Sequence, residues 1–376
     1  MATSTSIIET IKSEDDDGYS DDSLFNIKPW GADLSFRELI ERYDEDELVK
    51  PELQRNYVWD RREASRFIDS LLLGLPVPSI FLAQTRNEKL LIIDGYQRIM
   101  TVRDYVRGIF SKDQKSFALS RTDRINKRWR GKQFVELTDT EQRRIKNTTI
   151  HAIVFAQQKE PESDDTSLFQ VFERINTSGR TLTAQEIRNC VAQGDLNTLL
   201  FDLNSNATWR KLFGLEKSEP RMRDMEFILR FFALSSEQFK QTKQESLSLK
   251  RLLDLYMKNH SSINGPTAGD MTARFVAAIE QANQMFGNTA FHNISPSNSS
   301  KYVAKFSPTI FDSIIIAIDS AVRRGITPLP APHDKKFGLL QDEAYRSAIA
   351  QETMRKTNIN LRINKASNHL FGVDYE

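Results

Sequence analysis

The chain predicts an α+β protein with a small-sheet lobe first and a mainly α-helical lobe after it. Two observations carry that expectation. Short strand-like apolar runs fall only before about residue 160, and beyond it apolar residues recur at helical spacing. A third observation, the length of 376 residues, exceeds one average domain and allows more than one core. The expected division is a leader over 1–34, a sheet-bearing lobe over 35–160 and a helical lobe over 161–376.

Each element has its own signal. Residues 1–34 are rich in Ser, Thr and Asp, with few apolar positions to offset ordering, and read as a mobile, dispensable tail. Ser35 with Glu38 is a helix-start pair ahead of Phe36, Leu39, Ile40 and Tyr43. Asp60 with Glu63 opens a second helix carrying Phe67, Ile68, Leu71 and Leu72, which Gly74 and Pro76 stop. Ser79–Ala83 and Lys89–Ile93 read as a hairpin. A helix over Ile99, Val102, Tyr105 and Val106 follows, ending near Gly108, and Thr148–Phe155 is a further strand. The polar stretch 161–165 marks the lobe boundary. Later, Thr183 with Glu186 opens a helix, Met225–Leu234 is helical, and Pro308 with Gly325 brackets another. The Asn- and Ser-rich segment 287–300 reads as a loop.

Composition narrows the function classes. Lys and Arg total 52 against 51 Asp and Glu, so net charge names no polyanionic partner. The acids of the leader (Glu9, Glu14, Asp15, Asp16, Asp17, Asp21, Asp22, against Lys12) leave the rest of the chain with a mild basic bias, compatible with nucleic acid. A single cysteine, Cys190, excludes an internal disulfide and a cysteine-rich zinc site, and it reads as a small buried hydrophobe. No apolar run is long enough for a membrane span, and the N-terminus is acidic where a signal peptide is basic; a cytoplasmic protein with no membrane partner is expected.

The sharpest local feature is Asp94-Gly95-Tyr96-Gln97-Arg98, between an apolar strand and an amphipathic helix. Gly95 permits a tight turn and close approach of a ligand. Amides at the start of the helix favour anions, and Arg98 in the first turn supplies a fork of donors suited to phosphate. Asp94 suits a metal-bound water or a ribose hydroxyl, with magnesium as the expected ion, and Gln97 suits a nucleophilic water. The same five residues also fit a plain turn in which Asp94 caps the helix and Arg98 pairs with a surface acid.

These residues resemble the DGQQR signature of the GmrSD-type restriction endonuclease N-terminal domain family. Four further blocks are similar to that family in the same order: Pro51-Glu-Leu-Gln54-Arg55-Asn-Tyr57-Val-Trp59; Ser70 through Pro78; Phe172 through Leu182 with Glu186-Ile-Arg188; and Arg223-Asp224-Met-Glu226 with Leu229-Arg230-Phe231. Tyr96 stands where the family usually has Gln, which puts the missing amide's hydrogen bond in question and offers a ring for a base. The resemblance implies a ParB/sulfiredoxin-like first lobe that binds and hydrolyses a nucleoside triphosphate and thereby gates DNA recognition or cleavage. Carried over, it makes Gln54, Arg55, Asp94, Gly95, Gln97, Arg98, Asn176 and Gly179 nucleotide contacts, with Asp94, Gln97 and Arg98 catalytic. Tyr57 and Trp59 read as packing.

The stretch 121–132 holds Arg121, Arg124, Lys127, Arg128, Arg130 and Lys132 against Asp123, with Trp129 inside it. Arg124, Lys127, Arg128 and Arg130 are candidate phosphate contacts to DNA, while Trp129 reads as core; a solvated charged face is the competing reading. The five histidines are scattered and make no metal-spaced group. Three functions follow: a nucleoside-triphosphatase working with DNA and a separate nuclease subunit, as a single chain or a homo-oligomer; a self-contained nickase or nuclease; or a non-catalytic nucleotide- or DNA-binding module.

Overall fold

Ser35 ends strand β1 (Ile27–Ser35) and starts helix α1 (Phe36–Asp44), its hydroxyl accepting the Glu38 N–H at 3.2 Å. The computed structural model describes residues 7–10, 24, 27–50, 57, 59–84, 88–157, 166–175, 183–295 and 298–375. By their internal contacts they fall into two units, one spanning 22–180 with 189–191, the other 181–188 and 192–376 with the segment around Ile8.

In the first unit the elements run β2 (Leu48–Val49), α2 (Arg61–Leu73), β3 (Ile80–Gln84), β4 (Leu90–Asp94), α3 (Tyr96–Arg107), β5 (Ile109–Phe110), β6 (Lys115–Ser116), α4 (Asp139–Asn147), β7 (Thr149–Gln157) and α5 (Ser167–Ile175). Five strands form one mixed sheet in the order β1-β7-β3-β4-β2. β3 lies antiparallel to β4 and parallel to β7, so the expected hairpin sits inside the sheet. Ile80, Leu82, Ile92, Ala152 and Val154 belong to one core with Phe36, Leu39, Ile68, Leu71, Ile99, Val102 and Tyr105 of α1, α2 and α3. Asp60 and Glu63 form the expected capping box, and Gly74, in the left-handed region at φ 77°, ends α2.

Residues 27–34, expected in the tail, are instead the edge strand of this sheet, paired with β7 along its length. Most of its side chains are exposed, so it lacks the apolar alternation that marks a half-buried strand. Backbone hydrogen bonding holds it, and composition does not report that. Ile8 is buried and bridges Phe306 in the second unit, with Glu9 N–H donating to the Phe306 carbonyl at 2.8 Å. The boundary expected near residue 160 lies beyond α5, which stays with the sheet unit.

The second unit is helical around one small hairpin. It contains α6 (Ala184–Val191, whose last residues count with the first unit), α7 (Asp195–Asn204), α8 (Ala207–Phe213), α9 (Arg223–Leu234), α10 (Glu237–Gln241), α11 (Leu249–Asn259) and α12 (Gly265–Phe286). β8 (His292–Ser295) pairs antiparallel with β9 (Asn298–Phe306), so that β8 and the start of β9 fall in the segment 287–300 expected to be a loop. α13 (Pro308–Arg323), α14 (Pro332–Gln341), α15 (Glu343–Ala350) and α16 (Lys356–Phe371) complete it. α13 is buried from Pro308 through Ala321 and packs on α9, α12 and α16. Trp209, Phe213, Phe227, Phe306 and Phe311 form a continuous aromatic cluster beside it, with centroid separations of 4.6 to 6.1 Å among the contacting pairs. Asp312 of α13 accepts from both Arg230 and Arg362, all three buried.

Lys336 on α14 is fully buried. Its ammonium donates to the Thr289 carbonyl and lies 4.4 Å from the Tyr302 ring centroid and 5.5 Å from that of Phe286. No carboxylate pairs with it among the described residues, and burial holds its pKa well below the usual lysine range. Burial, with Lys336 nearby, lowers His292 as well. Between the lowered native pKa and the ordinary value of 10.5 the unfolded chain keeps a proton that the native lysine has lost. Stability from this group therefore rises with pH across that window and falls as pH drops toward the native pKa. Lys336→Met is expected to be more stable than wild type at pH 7 in urea denaturation. The difference should narrow toward pH 9.5, by at most about 1.4 kcal/mol per pH unit for one proton. Parallel pH profiles for the two proteins would contradict it.

Candidate functional site

Strand β4 brings Asp94 to the edge of the sheet unit's core, and the chain turns there on Gly95 at φ 110°. Only glycine fits. A Cβ at position 95 would lie 2.3 Å from Ile80 Cγ2 and 2.8 Å from Ile80 Cβ, in a backbone region that other residues rarely adopt. Tyr96 begins α3 directly. Gly95, the cap residue, has no side chain with which to bond the first amides of the helix, and the Arg98 and Ile99 amides bond its carbonyl at 3.0 and 3.1 Å. An uncapped helix start with its positive dipole end is a suitable place for an anion.

Arg98 does not fork outward from this turn. One terminal nitrogen donates to the carbonyls of Pro78 and Ser79, the latter at 2.9 Å, and the other donates to Asp94. The side chain is 12% exposed, against 53% for that of Asp94. The guanidinium fastens the segment entering β3 to the end of β4. The plain-turn reading is met in part: Arg98 does pair with an exposed acid, Asp94 itself, but Asp94 does not cap the helix, and two backbone carbonyls are further partners of the guanidinium. Pro78 and Ser79 carry no side-chain signal for such a role; the Pro78 carbonyl, just ahead of the strand, needs a donor that the sheet does not supply.

Tyr96 is turned inward, 8% exposed, with its ring 6.4 Å from that of Tyr43 and the Lys50 ammonium 5.0 Å from its centroid. Burial raises its hydroxyl above the usual tyrosine range, and burial lowers Lys50. The ring is core, so it offers no stacking surface to a base, and Tyr96→Gln exchanges packing for a buried amide. Gln97 accepts the Trp59 N–H through its side-chain oxygen at 3.2 Å, and Thr101 one turn on bonds the Tyr57 hydroxyl at 2.7 Å. Tyr57 is buried, and Trp59 packs edge-on against Phe67 at 5.7 Å, as their reading as packing requires. Gln54, Arg55, Asn176 and Gly179 lie outside the described residues. Asp94, Gly95, Gln97 and Arg98 are together at one turn.

Of the candidate DNA contacts, Arg124, Lys127 and Arg128 are exposed. Arg128 also pairs with Glu141 at 2.6 Å. Arg130 is turned into its own loop, donating to the Ile125 carbonyl at 2.9 and 3.1 Å and to Asp123 at 2.8 Å, because that carbonyl has no regular partner. It is a strut, where a phosphate contact was expected. Trp129 is core, its indole N–H donating to Asp69 at 2.6 Å. Cys190 is buried, as expected. Among the described residues no three His, Cys, Asp or Glu are grouped to hold a metal ion, and no helix is long and apolar enough to cross a membrane.

Residues 36–192 match the family model of the GmrSD restriction endonuclease, N-terminal domain. No curated protein matches the chain.

Because Arg98 is engaged, its removal is expected to cost stability before any ligand is considered. Arg98→Ala leaves two carbonyls and Asp94 without their charged donor, and hydrogen bonds to charged groups contribute roughly 1.5–3 kcal/mol each. Urea denaturation should show a loss of about 2 kcal/mol or more. Arg98→Lys should recover only part of it, since one ammonium cannot span both sides. Wild-type stability in Arg98→Ala would mean that the guanidinium does not fasten this junction.

Proposed function

We propose, from the match of residues 36–192 to the GmrSD restriction endonuclease N-terminal domain family, that the chain is a component of a restriction-type defence system that binds a nucleoside triphosphate at the β4–α3 turn. The observation that carries the reading is the turn itself: an uncapped helix start, glycine at its mouth, a half-exposed carboxylate and a guanidinium side by side. The triphosphate lies with its phosphates on the α3 amides. Its charge competes with Asp94 for the outer nitrogen of Arg98, so that binding releases the carboxylate while the Pro78 and Ser79 bonds keep the guanidinium aimed. A ParB/sulfiredoxin-like sheet unit is part of the same proposal.

Magnesium takes one or two carboxylates plus phosphate oxygens, and Asp94, exposed at the strand end, is a donor of that kind. With Mg²⁺ bound, the ion would neutralise phosphate charge. Gln97, one residue past the first helical position, orients water or a phosphate oxygen through its amide, and Arg98 stabilises charge on the transferred group. Hydrolysis then gates DNA recognition or cleavage, with cleavage supplied by a separate nuclease subunit. The engaged state of Arg98 favours one second reading, a module that binds nucleotide without turnover.

Calorimetric titration of the full chain with ATP, GTP, CTP and UTP in Mg²⁺ tests the assignment, alongside phosphate release. At least one triphosphate should bind and be hydrolysed. Asp94→Asn keeps an acceptor for Arg98 but loses the charge, and is expected to weaken Mg²⁺-dependent binding about tenfold, the equivalent of ~1.4 kcal/mol. Binding without phosphate release selects the non-catalytic module. No binding of any triphosphate sinks the nucleotide reading.

A further inference from the structure

The segment 120–132 in the sheet unit is neither helix nor strand, yet it is held firmly. Ile125 and Trp129 are buried. Asp69 of α2 accepts both the Asn126 N–H at 3.0 Å and the Trp129 indole N–H at 2.6 Å, and Ser65 accepts the Ser120 N–H at 2.9 Å. Arg130 closes the loop from within, and the Leu119 N–H bonds the Lys132 carbonyl at 3.0 Å. The result is a pinned ridge along the Ser65–Asp69 side of α2.

What the ridge and helix turn outward is basic. Arg124 and Lys127 are exposed on the ridge. Arg62 and Arg66 stand three residues before Ser65 and Asp69, hence on the same side of α2, and are exposed as well. Of the acids nearby, Asp69 is taken up by the ridge, and Asp123 and Glu141 are paired with Arg130 and Arg128; Asp60 and Glu63, in the capping box at the start of α2, accept backbone amides and keep their charge. Among the described residues Arg62, Arg66, Arg124 and Lys127 have no carboxylate partner. Cations set out on a rigid face meet a polyanion without the cost of ordering the backbone that carries them.

We propose that this face, made of Arg62 and Arg66 on α2 with Arg124 and Lys127 on the adjoining ridge, binds the phosphate backbone of duplex DNA. Arg130 is a strut within the ridge, and Arg128, though exposed, is paired with Glu141. The choice of DNA over RNA rests on the restriction-type reading; the face itself rests on the placement of its charges. Backbone contacts of this kind position a protein on DNA and carry no sequence information.

Fluorescence anisotropy of the full chain with two unrelated 25-base-pair duplexes, from 50 to 200 mM salt, tests it. Four phosphate contacts predict a slope near −3.6 in log affinity against log salt, a loss of about a hundredfold across that range, alike for both duplexes. Replacing Arg62, Arg66, Arg124 and Lys127 together by Gln should remove most of the affinity and flatten the slope, with the thermal midpoint unchanged. Lys243→Gln/Lys301→Gln, at exposed lysines of the second unit, should leave both unchanged. A wild type that does not bind duplex DNA, or a fourfold variant with wild-type affinity and slope, overturns the proposal. Tighter binding of a duplex RNA of the same length overturns the choice of DNA. Nucleotide titration of the fourfold variant should match wild type, so failure of this face and failure of the nucleotide site are read separately.

Discussion

The sheet unit's candidate site depends on the bonds of one guanidinium. Arg98 joins the end of β4 to the start of β3 by donating to Asp94 on one side and to the Pro78 and Ser79 carbonyls on the other. Gly95 makes this geometry available: its left-handed backbone puts α3 one residue after the strand, and its missing side chain leaves room for Ile80. With a larger residue there, Ile80 and with it the entry of β3 would have to move, and Arg98 would lose its carbonyls. The features that favour a phosphate at this turn are therefore the same ones that hold the sheet together locally.

Helix α2 lies between this junction and the basic ridge. Its Ser65 and Asp69 pin the ridge, its Leu72 carbonyl accepts from Arg144 of α4 at 2.8 Å, and after Gly74 the chain reaches the Pro78 and Ser79 carbonyls. In the second unit, residues from the blocks that resemble the family's later motifs are partners of one another or of neighbouring helices. Arg188 pairs with Glu226 and Asp254, Arg221 with Glu186, Arg210 with Asp224, and Arg230 with Asp312. Buried ion pairs of this type are costly to break singly, because each removal strands a charge. A structural role accounts for these residues without any chemistry.

Local signals were the legible ones. Asp60 with Glu63 and Thr183 with Glu186 cap helices because the few residues involved are adjacent in sequence. The β3–β4 pair and α3 were visible from apolar runs and the glycines that bound them. What stayed hidden depends on partners far along the chain. β1 is held by β7 more than a hundred residues away and buries little, and β8–β9 lies in a stretch whose composition reads as loop. At the site, Asp94, Gly95, Gln97 and Arg98 were legible as a group, but the direction of Arg98 was not, since its partners are main-chain oxygens about twenty residues earlier. The sequence offers Tyr96 as a ring for a base, whereas that ring belongs to the core with Tyr43. Arg130 looked like its exposed neighbours until its carbonyl partner, Ile125, was in place.

On the proposed reading, a triphosphate settles on the α3 amides while the Arg98 junction stays closed against β3. Backbone hydrogen exchange of the full chain, with and without saturating nucleoside triphosphate and Mg²⁺, reads this most directly. The expected result is slowed exchange in peptides covering 95–99, with 78–81 slowed or unchanged and the second unit's α13 unaffected. Protection confined to other segments while 95–99 exchanges as in the free protein would place the nucleotide elsewhere and contradict it.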